Sequence, residues 1–303
     1  MQNKKIAYLI LAHTCPEQLE RLVKACNYYS DFFIHIDLKS DISPFLALDL
    51  PSSTIFIKER VKVYWGGISQ VLAILNLIKA ALDNHQEYSH LVLLSGLDYP
   101  IKPAKKIHEL LTSNPHKQYM KFMKIEDSVD RKFFRRYIFV EALPFISNKF
   151  INRLIRKLMT YALYPIRIRP VKNIIHCVGH AEWAITPECA SYIVKYIEDN
   201  PQFMNFYRYS FCPDEQFFHT IVANSKFLSE TDGIQKVTEG EIYQMANLHI
   251  IHPSLAKIYA EDDFAEIKNS DKLFVRKVTP YQSLGLMERI DQELLAVNPE
   301  DNL

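Results

Sequence analysis

Short apolar runs alternate with helical patterns over the first hundred residues, and this alternation constrains the fold more than any other feature. Residues 6–12 form an uninterrupted apolar run after two lysines, which predicts a buried parallel strand. The pattern then predicts, in chain order, a helix at residues 17–28, strands at 32–36 and 54–57, a helix at 67–82 and a strand at 90–94. This order is typical of a doubly wound α/β sheet. We therefore expect a Rossmann-like, mostly parallel sheet flanked by helices.

Polar side chains stand at the carboxyl ends of three predicted strands, namely His13, Asp37 and Asp98. Open α/β sheets bind their ligands at this edge. His13 either hydrogen-bonds a neighbouring loop or contacts a ligand. Asp98 either organises its own turn or faces a ligand in the crevice, and the residues leave both alternatives open.

Composition limits the class of protein. The 303 residues are 48% hydrophobic, which suits one large domain or two small ones; we find no convincing linker and predict a single domain over residues 1–303. Lys and Arg total 36 and Asp and Glu total 35, so we predict no nucleic-acid partner.

The five cysteines are scattered and form no CxxC pair, which predicts neither a disulfide framework nor a metal site. The N-terminal apolar run is too short for a transmembrane helix or a signal-peptide core, so we expect a cytoplasmic protein.

The middle of the chain has an unusual charge pattern. Residues 142–181 contain no Asp or Glu, whereas basic and apolar residues alternate at helical spacing through Tyr161. One interpretation is a helix that packs on the core and exposes a basic face to solvent. The other is an interfacial helix that contacts anionic lipid.

Two adjacent carboxylates, Asp214 and Glu215, follow Pro213 in a segment that contains three phenylalanines. An ionised carboxylate is costly to place beside apolar walls. Such an environment raises its pKa, which suits a general base. We therefore predict that this acidic segment takes part in catalysis.

Several nucleotide-binding and catalytic motifs are missing. The chain contains no GxGxxG, no GxxxxGK[ST], no Gly-x-Ser-x-Gly and no Asp-x-Asp at a strand end. A phosphate-bearing ligand would then need Lys or Arg to balance its charge. Lys257, Arg276 and Lys277 near the C-terminus are candidates.

Seven motifs occur in order along nearly the whole chain: Leu11-Ala12-His13; residues 35–39 (HIDLK); 64–69 (YWGGIS); 94–102 (LSGLDYPIK); 179–183 (GHAEW); 212–215 (CPDE); and 270–277 (SDKLFVRK). In these motifs the chain resembles the core-2/I-branching β-1,6-N-acetylglucosaminyltransferase family (glycosyltransferase family 14), which includes peptide O-xylosyltransferases. The resemblance implies a GT-A fold, a UDP-sugar donor, inversion at the anomeric carbon, and no metal or other cofactor. It also implies a donor-binding half over about residues 1–115 and an acceptor and catalytic half over about 116–303.

The resemblance assigns the catalytic chemistry to the acidic segment. Glu215 would be the general base, and Cys212 replaces the serine that is usual in this motif. Asp214 would orient the acceptor or cap the following helix. Lys277 would neutralise the diphosphate. For the second cation, strict alignment gives Ser254 and a short gap gives Lys257; we choose Lys257, because losing a charge beside a diphosphate would cost affinity.

The remaining binding residues follow from the resemblance, except Asp98, Glu182 and Trp183, whose own chemistry and position suggest them. The donor-binding set is predicted to comprise Ala12, His13, Asp37, Lys39, Ser69 and Asp98, besides the two lysines. The acceptor-binding set is predicted to comprise Lys132, Arg136, Glu182, Trp183 and Asp214. Core packing is the alternative for Trp183, and a basic strand face is the alternative for Lys132 and Arg136.

The predicted function is an inverting, metal-independent transfer of GlcNAc or xylose from a UDP-sugar to a glycan hydroxyl, forming a β-linkage. A lipid-linked glycan at the inner membrane face, in surface-polysaccharide assembly, is the acceptor we expect. The alternatives are a non-catalytic sugar-nucleotide or glycan-binding protein on the same scaffold, and a nucleotide-processing hydrolase that shares only the fold.

Overall fold

A computed structural model describes residues 4–127, 146, 148–163, 173–236 and 242–296. The strands are β1 (Lys5–Ala12), β2 (Ser30–Ile36), β3 (Thr54–Phe56), β4 (Tyr88–Ser95), β5 (Asp98–Pro100), β6 (Phe122–Lys124), β7 (Cys177–Gly179), β8 (Ala184–Ile185), β9 (His249–Ile251) and β10 (Phe274–Arg276). The α-helices are α1 (Pro16–Ala25), α2 (Ser43–Leu46), α3 (Ile68–Asp83), α4 (Ala104–Ser113), α5 (Lys149–Leu163), α6 (Pro187–Asp199), α7 (Pro201–Tyr207), α8 (Phe217–Ala223), α9 (Phe264–Lys268) and α10 (Leu284–Ile290).

The central sheet has the strand order β3-β2-β1-β4-β8. Its first four strands are parallel, and β8 is antiparallel to β4. The predicted Rossmann-like, mostly parallel sheet is thus confirmed, and the four strands predicted in the first hundred residues all belong to it.

Alternate residues of β1 pack into two different cores because successive side chains of a strand point to opposite faces. Ala7 and Leu9 join a cluster with α3, α6 and α8. Ile6, Tyr8 and Ile10 join a second cluster with α1 and α4. Helices therefore cover both faces of the sheet, which explains why β1 is apolar without interruption.

A smaller sheet with the order β5-β10-β9 lies beyond the carboxyl end of β4. Its antiparallel register sets Arg276 of β10 opposite Asp98 of β5. Strand β9 runs parallel to β10 and starts with His249. This sheet brings residues about 150 to 180 positions apart in sequence next to the edge where the main sheet ends. A two-stranded pair, β6 and β7, completes the described strands.

Within the described ranges, none of the helices combines the length and the apolar character needed to cross a bilayer.

Candidate active site

A buried charge network forms where β5 and β10 pair. The Asp98 side chain is fully buried. Its Oδ1 accepts a hydrogen bond from Arg276 Nη1 at 2.9 Å, and its Oδ2 accepts one from the Ser95 amide at 2.8 Å. His249 Nε2 lies 3.1 Å from the same Oδ2. Asp98 therefore organises its turn, as one alternative predicted, and also anchors Arg276 and His249.

The same arginine reaches a second buried carboxylate. Arg276 Nη1 lies 3.3 Å from Glu182 Oε1, and His180 Nδ1 lies 2.8 Å from Glu182 Oε2. Burial alone would raise the pKa of Glu182, but the charges of Arg276 and His180 outweigh it and lower the pKa below its usual range. Glu182 therefore stays ionised inside the network.

The acidic segment is held by the first turn of α3 and by the glycine loop before it. The glutamine that follows Ser69, Gln70, donates from Nε2 to Asp214 Oδ2 at 3.1 Å and accepts from the Gly66 amide at 2.6 Å. Gly66 has a φ of 72°, a left-handed conformation that glycine adopts at least cost. The Gly66 carbonyl in turn accepts from the Cys212 amide at 3.1 Å. One glutamine therefore ties the glycine loop to the Asp214 carboxylate.

The alternative in which Asp214 caps the following helix is wrong. Residues Pro213–Glu215 form a short 3₁₀ turn, and α8 begins only at Phe217, with Gln216 as its N-cap. The Asp214 carboxylate is buried and accepts from Gln70 instead. Glu215, on the same turn, is half-buried.

The two carboxylates of the segment thus lie in different environments. Burial raises the pKa of Asp214 to about 7, and the nearby negative charge of Glu182 adds to this while Arg276 opposes it. The sequence predicted a raised pKa for a carboxylate beside apolar walls, and Asp214 is the residue that shows it. Phe217 and Phe218 point into the main core and pack there against each other.

Lys277 continues the strand that carries Arg276. Its side chain is half-buried, and burial together with the charge of Arg276 lowers its pKa. Among the described residues, Lys277 Nζ makes no ion pair with a carboxylate. Its backbone amide faces the Lys257 carbonyl at 3.5 Å, so the two lysines predicted to bind the diphosphate lie on adjacent segments. The Lys257 ammonium lies 2.6 Å from Asp263 Oδ1.

Three predicted donor-binding residues contact the loop after β3. Asp37 Oδ1 accepts from the amides of Lys39 at 2.9 Å and of Val63 at 3.2 Å. The Lys39 ammonium lies 3.3 Å from Asp37 Oδ2 and 4.4 Å from the centre of the Tyr64 ring. Ser69 Oγ accepts from the Tyr64 amide at 2.9 Å. These residues lie together at the carboxyl edge of the sheet, as predicted.

Ala12 and His13 end β1 at the same edge. Ala12 is buried, and a Cβ placed on Gly96 would lie 3.0 Å from the Ala12 side chain, so the two backbones approach closely. The His13 carbonyl accepts from Ser40 Oγ at 2.8 Å, while the His13 ring is exposed. The backbone of His13 therefore fixes a loop, and its ring is open to a ligand.

The predicted acceptor contact of Trp183 is not supported. Its side chain is fully buried in the main core, with its ring centre 5.6 Å from that of Phe218, so no face of the ring is open to a sugar. Core packing, the alternative, is what the structure shows. Lys132 and Arg136 lie outside the described residues, and their role stays a prediction.

Sequence reasoning did not assign three members of this site, Gln70, His180 and His249, and it named Arg276 only as a candidate cation for a phosphate-bearing ligand. Gln70, His180 and Arg276 had a weak signal, since each lies within or beside a motif that carried the resemblance, whereas His249 lies in none of the seven motifs. Arg276 precedes Lys277, His180 precedes Glu182 by two residues, and Gln70 follows Ser69. Their partners are distant in sequence, so only the fold identifies the contacts.

A mostly parallel sheet with an acidic turn and a buried charge network at its carboxyl edge defines a GT-A-like glycosyltransferase fold. The family model described as Core-2/I-Branching enzyme matches residues 6–238. The chain therefore belongs to the Core-2/I-Branching enzyme family.

Curated relatives agree with this membership. The chain is 26% identical over 230 residues to Xylosyltransferase 2 of Rattus norvegicus, 26% over 231 residues to Xylosyltransferase 2 of Homo sapiens, and 27% over 229 residues to a xylosyltransferase of Ciona intestinalis. Each match covers 73% of this chain and 25% of the relative. The chain thus spans about a quarter of the length of the curated relatives it matches.

Proposed function

We propose that this protein transfers a sugar from a UDP-sugar to a hydroxyl group of a glycan, with inversion at the anomeric carbon. The observation that carries the proposal is the meeting of the acidic turn, the Asp98–Arg276–Glu182 network and Lys277 at the carboxyl edge of the sheet. Membership of the Core-2/I-Branching enzyme family supports the same reaction class.

Glu215 acts as the general base in this proposal. It removes the proton from the acceptor hydroxyl as that oxygen forms a bond to the anomeric carbon, and the bond from this carbon to the UDP oxygen breaks. A single displacement of this kind inverts the configuration. Glu215 is the more exposed carboxylate of the pair, so it is the one that an incoming hydroxyl reaches first. Asp214, which takes up a proton near neutral pH, orients the acceptor beside it.

The departing UDP carries negative charge, and the protein balances that charge with fixed cations. Lys277 supplies the main one, because its ammonium lies near Arg276 and has no carboxylate partner among the residues described. Lys257 supplies the second by exchanging Asp263 for a phosphate oxygen. With two lysines in place, we propose that the reaction needs no divalent metal.

The curated relatives suggest which donor to test first. The relatives are named xylosyltransferases, so UDP-xylose is the first donor to test and UDP-GlcNAc the second. The acceptor is proposed to be a glycan or lipid-linked glycan of a surface-polysaccharide pathway. We place the reaction in the cytoplasm, because the five cysteines, all of them among the described residues, form no disulfide bond, as is usual in a reducing compartment.

A UDP-release assay with a panel of UDP-sugars, in the presence of a chelator, tests the proposal. We expect one donor to be turned over, and Glu215→Gln to lower kcat by about 10²–10⁴-fold while UDP binding stays within about twofold. The matched control Glu109→Gln changes an exposed glutamate of α4 and should leave kcat unchanged. Full activity of Glu215→Gln would reject the base assignment. Activity that is lost on chelation and restored by manganese would reject the metal-free mechanism.

A further inference from the structure

Helix α5 exposes its apolar side chains instead of burying them. The exposed fractions are 75% for Phe150, 66% for Tyr161, 61% for Leu158 and 48% for Leu154. At about 100° per residue, these four side chains fall within about 80° of one another around the helix. We call these four residues the apolar face of α5.

The opposite side of the helix carries a buried polar residue. Asn152 lies about 160° from the centre of the apolar face and is only 5% exposed. Its Nδ2 donates to the Ile146 carbonyl at 3.3 Å, and its Oδ1 accepts from Arg156 Nε at 2.7 Å. The buried side chain of α5 is therefore polar, and the apolar face is exposed. This is the reverse of a core-packing helix with a basic solvated face, so that interpretation of the sequence is wrong.

Two exposed cations border the apolar face. Arg153 and Lys157 are one turn apart and lie on the same flank of it, and within the described ranges neither makes an ion pair with a carboxylate. Helix α5 contains no acidic residue. Long basic side chains extend their charges to phosphate level while their methylene stems stay on apolar ground. An apolar face with aromatic residues and a basic border is the pattern of a helix that lies in a membrane interface.

We propose that the apolar face of α5, together with Arg153 and Lys157, docks on the surface of a membrane that contains anionic lipid. The face would enter the boundary between headgroups and acyl chains, and the two cations would contact lipid phosphates. This inference stands on the exposure and charge of α5 and does not depend on the proposed sugar transfer.

A second copy of the chain fits this face less well. A twofold-symmetric contact places the same patch on both subunits, so Arg153 and Lys157 would meet the Arg153 and Lys157 of the other copy. No acidic residue of α5 is present to compensate, and like charges brought together in a contact are destabilising. An anionic lipid surface removes this conflict because its charge is opposite.

Vesicle sedimentation with the full chain tests the proposal. We expect binding to vesicles of phosphatidylcholine mixed with phosphatidylglycerol, and little binding to phosphatidylcholine alone. Each basic residue near an anionic surface adds roughly fivefold to partitioning, so the double variant Arg153→Glu/Lys157→Glu should lose at least about 25-fold. Leu154→Ser/Leu158→Ser, which removes buried apolar area on the membrane, should lose at least about tenfold.

The matched control is Lys106→Glu/Lys195→Glu, which makes the same charge change at exposed positions on α4 and α6 and should bind as the unmodified protein does. All three variants change exposed residues, and thermal melting that matches the unmodified protein shows that they fold.

Two results would overturn the proposal. The first is absence of binding to the anionic vesicles, or equal binding by the Arg153/Lys157 variant and its control. The second is a concentration-dependent dimer in sedimentation equilibrium that disappears in Leu154→Ser/Leu158→Ser, since a second copy would then cover the face.

Discussion

Replacing Arg276 by methionine tests whether the buried network holds the site together. Methionine is apolar and of similar length, so the change removes the charge and its hydrogen bonds while largely keeping the volume. Arg276 Nη1 lies 2.9 Å from Asp98 Oδ1 and 3.3 Å from Glu182 Oε1. Both carboxylates are buried, so the variant leaves two negative charges that water does not solvate.

The expected loss is large. Removing one partner of a buried ion pair typically costs about 3–5 kcal/mol, because the remaining charge is uncompensated. Here one cation serves two carboxylates, so we expect the upper part of this range, about 4–5 kcal/mol at pH 8. The control is Arg289→Met, which breaks an exposed pair with Glu293 one turn away on the surface. An exposed helix pair of this kind contributes little to stability.

The loss should also depend on pH. In the unmodified protein the pKa of Glu182 is lowered, so its stabilising contribution is present above the pKa it has in the unfolded chain and disappears as the pH falls. Without Arg276, burial is opposed by His180 and His249, and we expect burial to raise the pKa of Glu182 above its usual range. The folded variant then holds a proton that the unfolded chain has released, and its stability falls as the pH rises.

Urea unfolding of both proteins at pH 5 and pH 8 measures the effect. The difference in free energy of unfolding between the unmodified protein and Arg276→Met should widen from pH 5 to pH 8. A loss below about 1 kcal/mol at pH 8, or a difference that does not change with pH, would refute the buried-network argument.

Two further predictions concern residues that adjoin this network. Burial raises the pKa of Asp214 from 3.8 to about 7, so ionisation of this carboxyl disfavours the folded state as the pH rises. Asp214→Asn should therefore gain stability relative to the unmodified protein between pH 5 and pH 8, by on the order of a few kcal/mol. Equal urea midpoints for the two proteins at both pH values would contradict this. A Cβ on Gly179 would lie 2.5 Å from the His219 ring and 2.6 Å from the Lys121 carbonyl, so Gly179→Ala should lower the free energy of unfolding by about 1–3 kcal/mol. In the control Gly285→Ala, the new methyl group meets only the flexible side chain of Glu261, and stability should not change. Equal effects of the two substitutions in thermal or urea unfolding would contradict the packing argument.

The sheet was predictable because its signal is local. The run at residues 6–12 is buried on both faces, and a strand buried on both faces needs apolar residues at every position. The same logic located Asp37 and Asp98, since polar residues end the buried runs where the strands reach the ligand-binding edge. Residue chemistry pointed to the acidic turn and the basic tail, which no periodic pattern reveals, and the resemblance to the family assigned individual roles to their residues.

The contacts inside the site could not be predicted from the sequence, because the residues that meet there are far apart along the chain. The partners of Asp98 are Arg276 and His249, which lie 178 and 151 positions away, and the antiparallel register of β5 and β10 alone brings Arg276 opposite Asp98. The orientation of α5 was equally hidden. Its spacing shows that one face is apolar, but spacing cannot tell whether that face turns toward the core or away from it.

Glu182 and Asp214 illustrate how this site separates the pKa values of two buried acids. Glu182 lies 3.3 Å from Arg276 and stays ionised, whereas Asp214, which Arg276 influences less than burial does, titrates near neutral pH. Each negative charge also disfavours the other, since Glu182 raises the pKa of Asp214. Pairs of acids whose environments push their pKa values apart are typical of sites that move protons. Arg276 therefore has different outcomes at the two acids: it keeps Glu182 ionised, whereas its lowering of the Asp214 pKa is outweighed by burial and by the charge of Glu182.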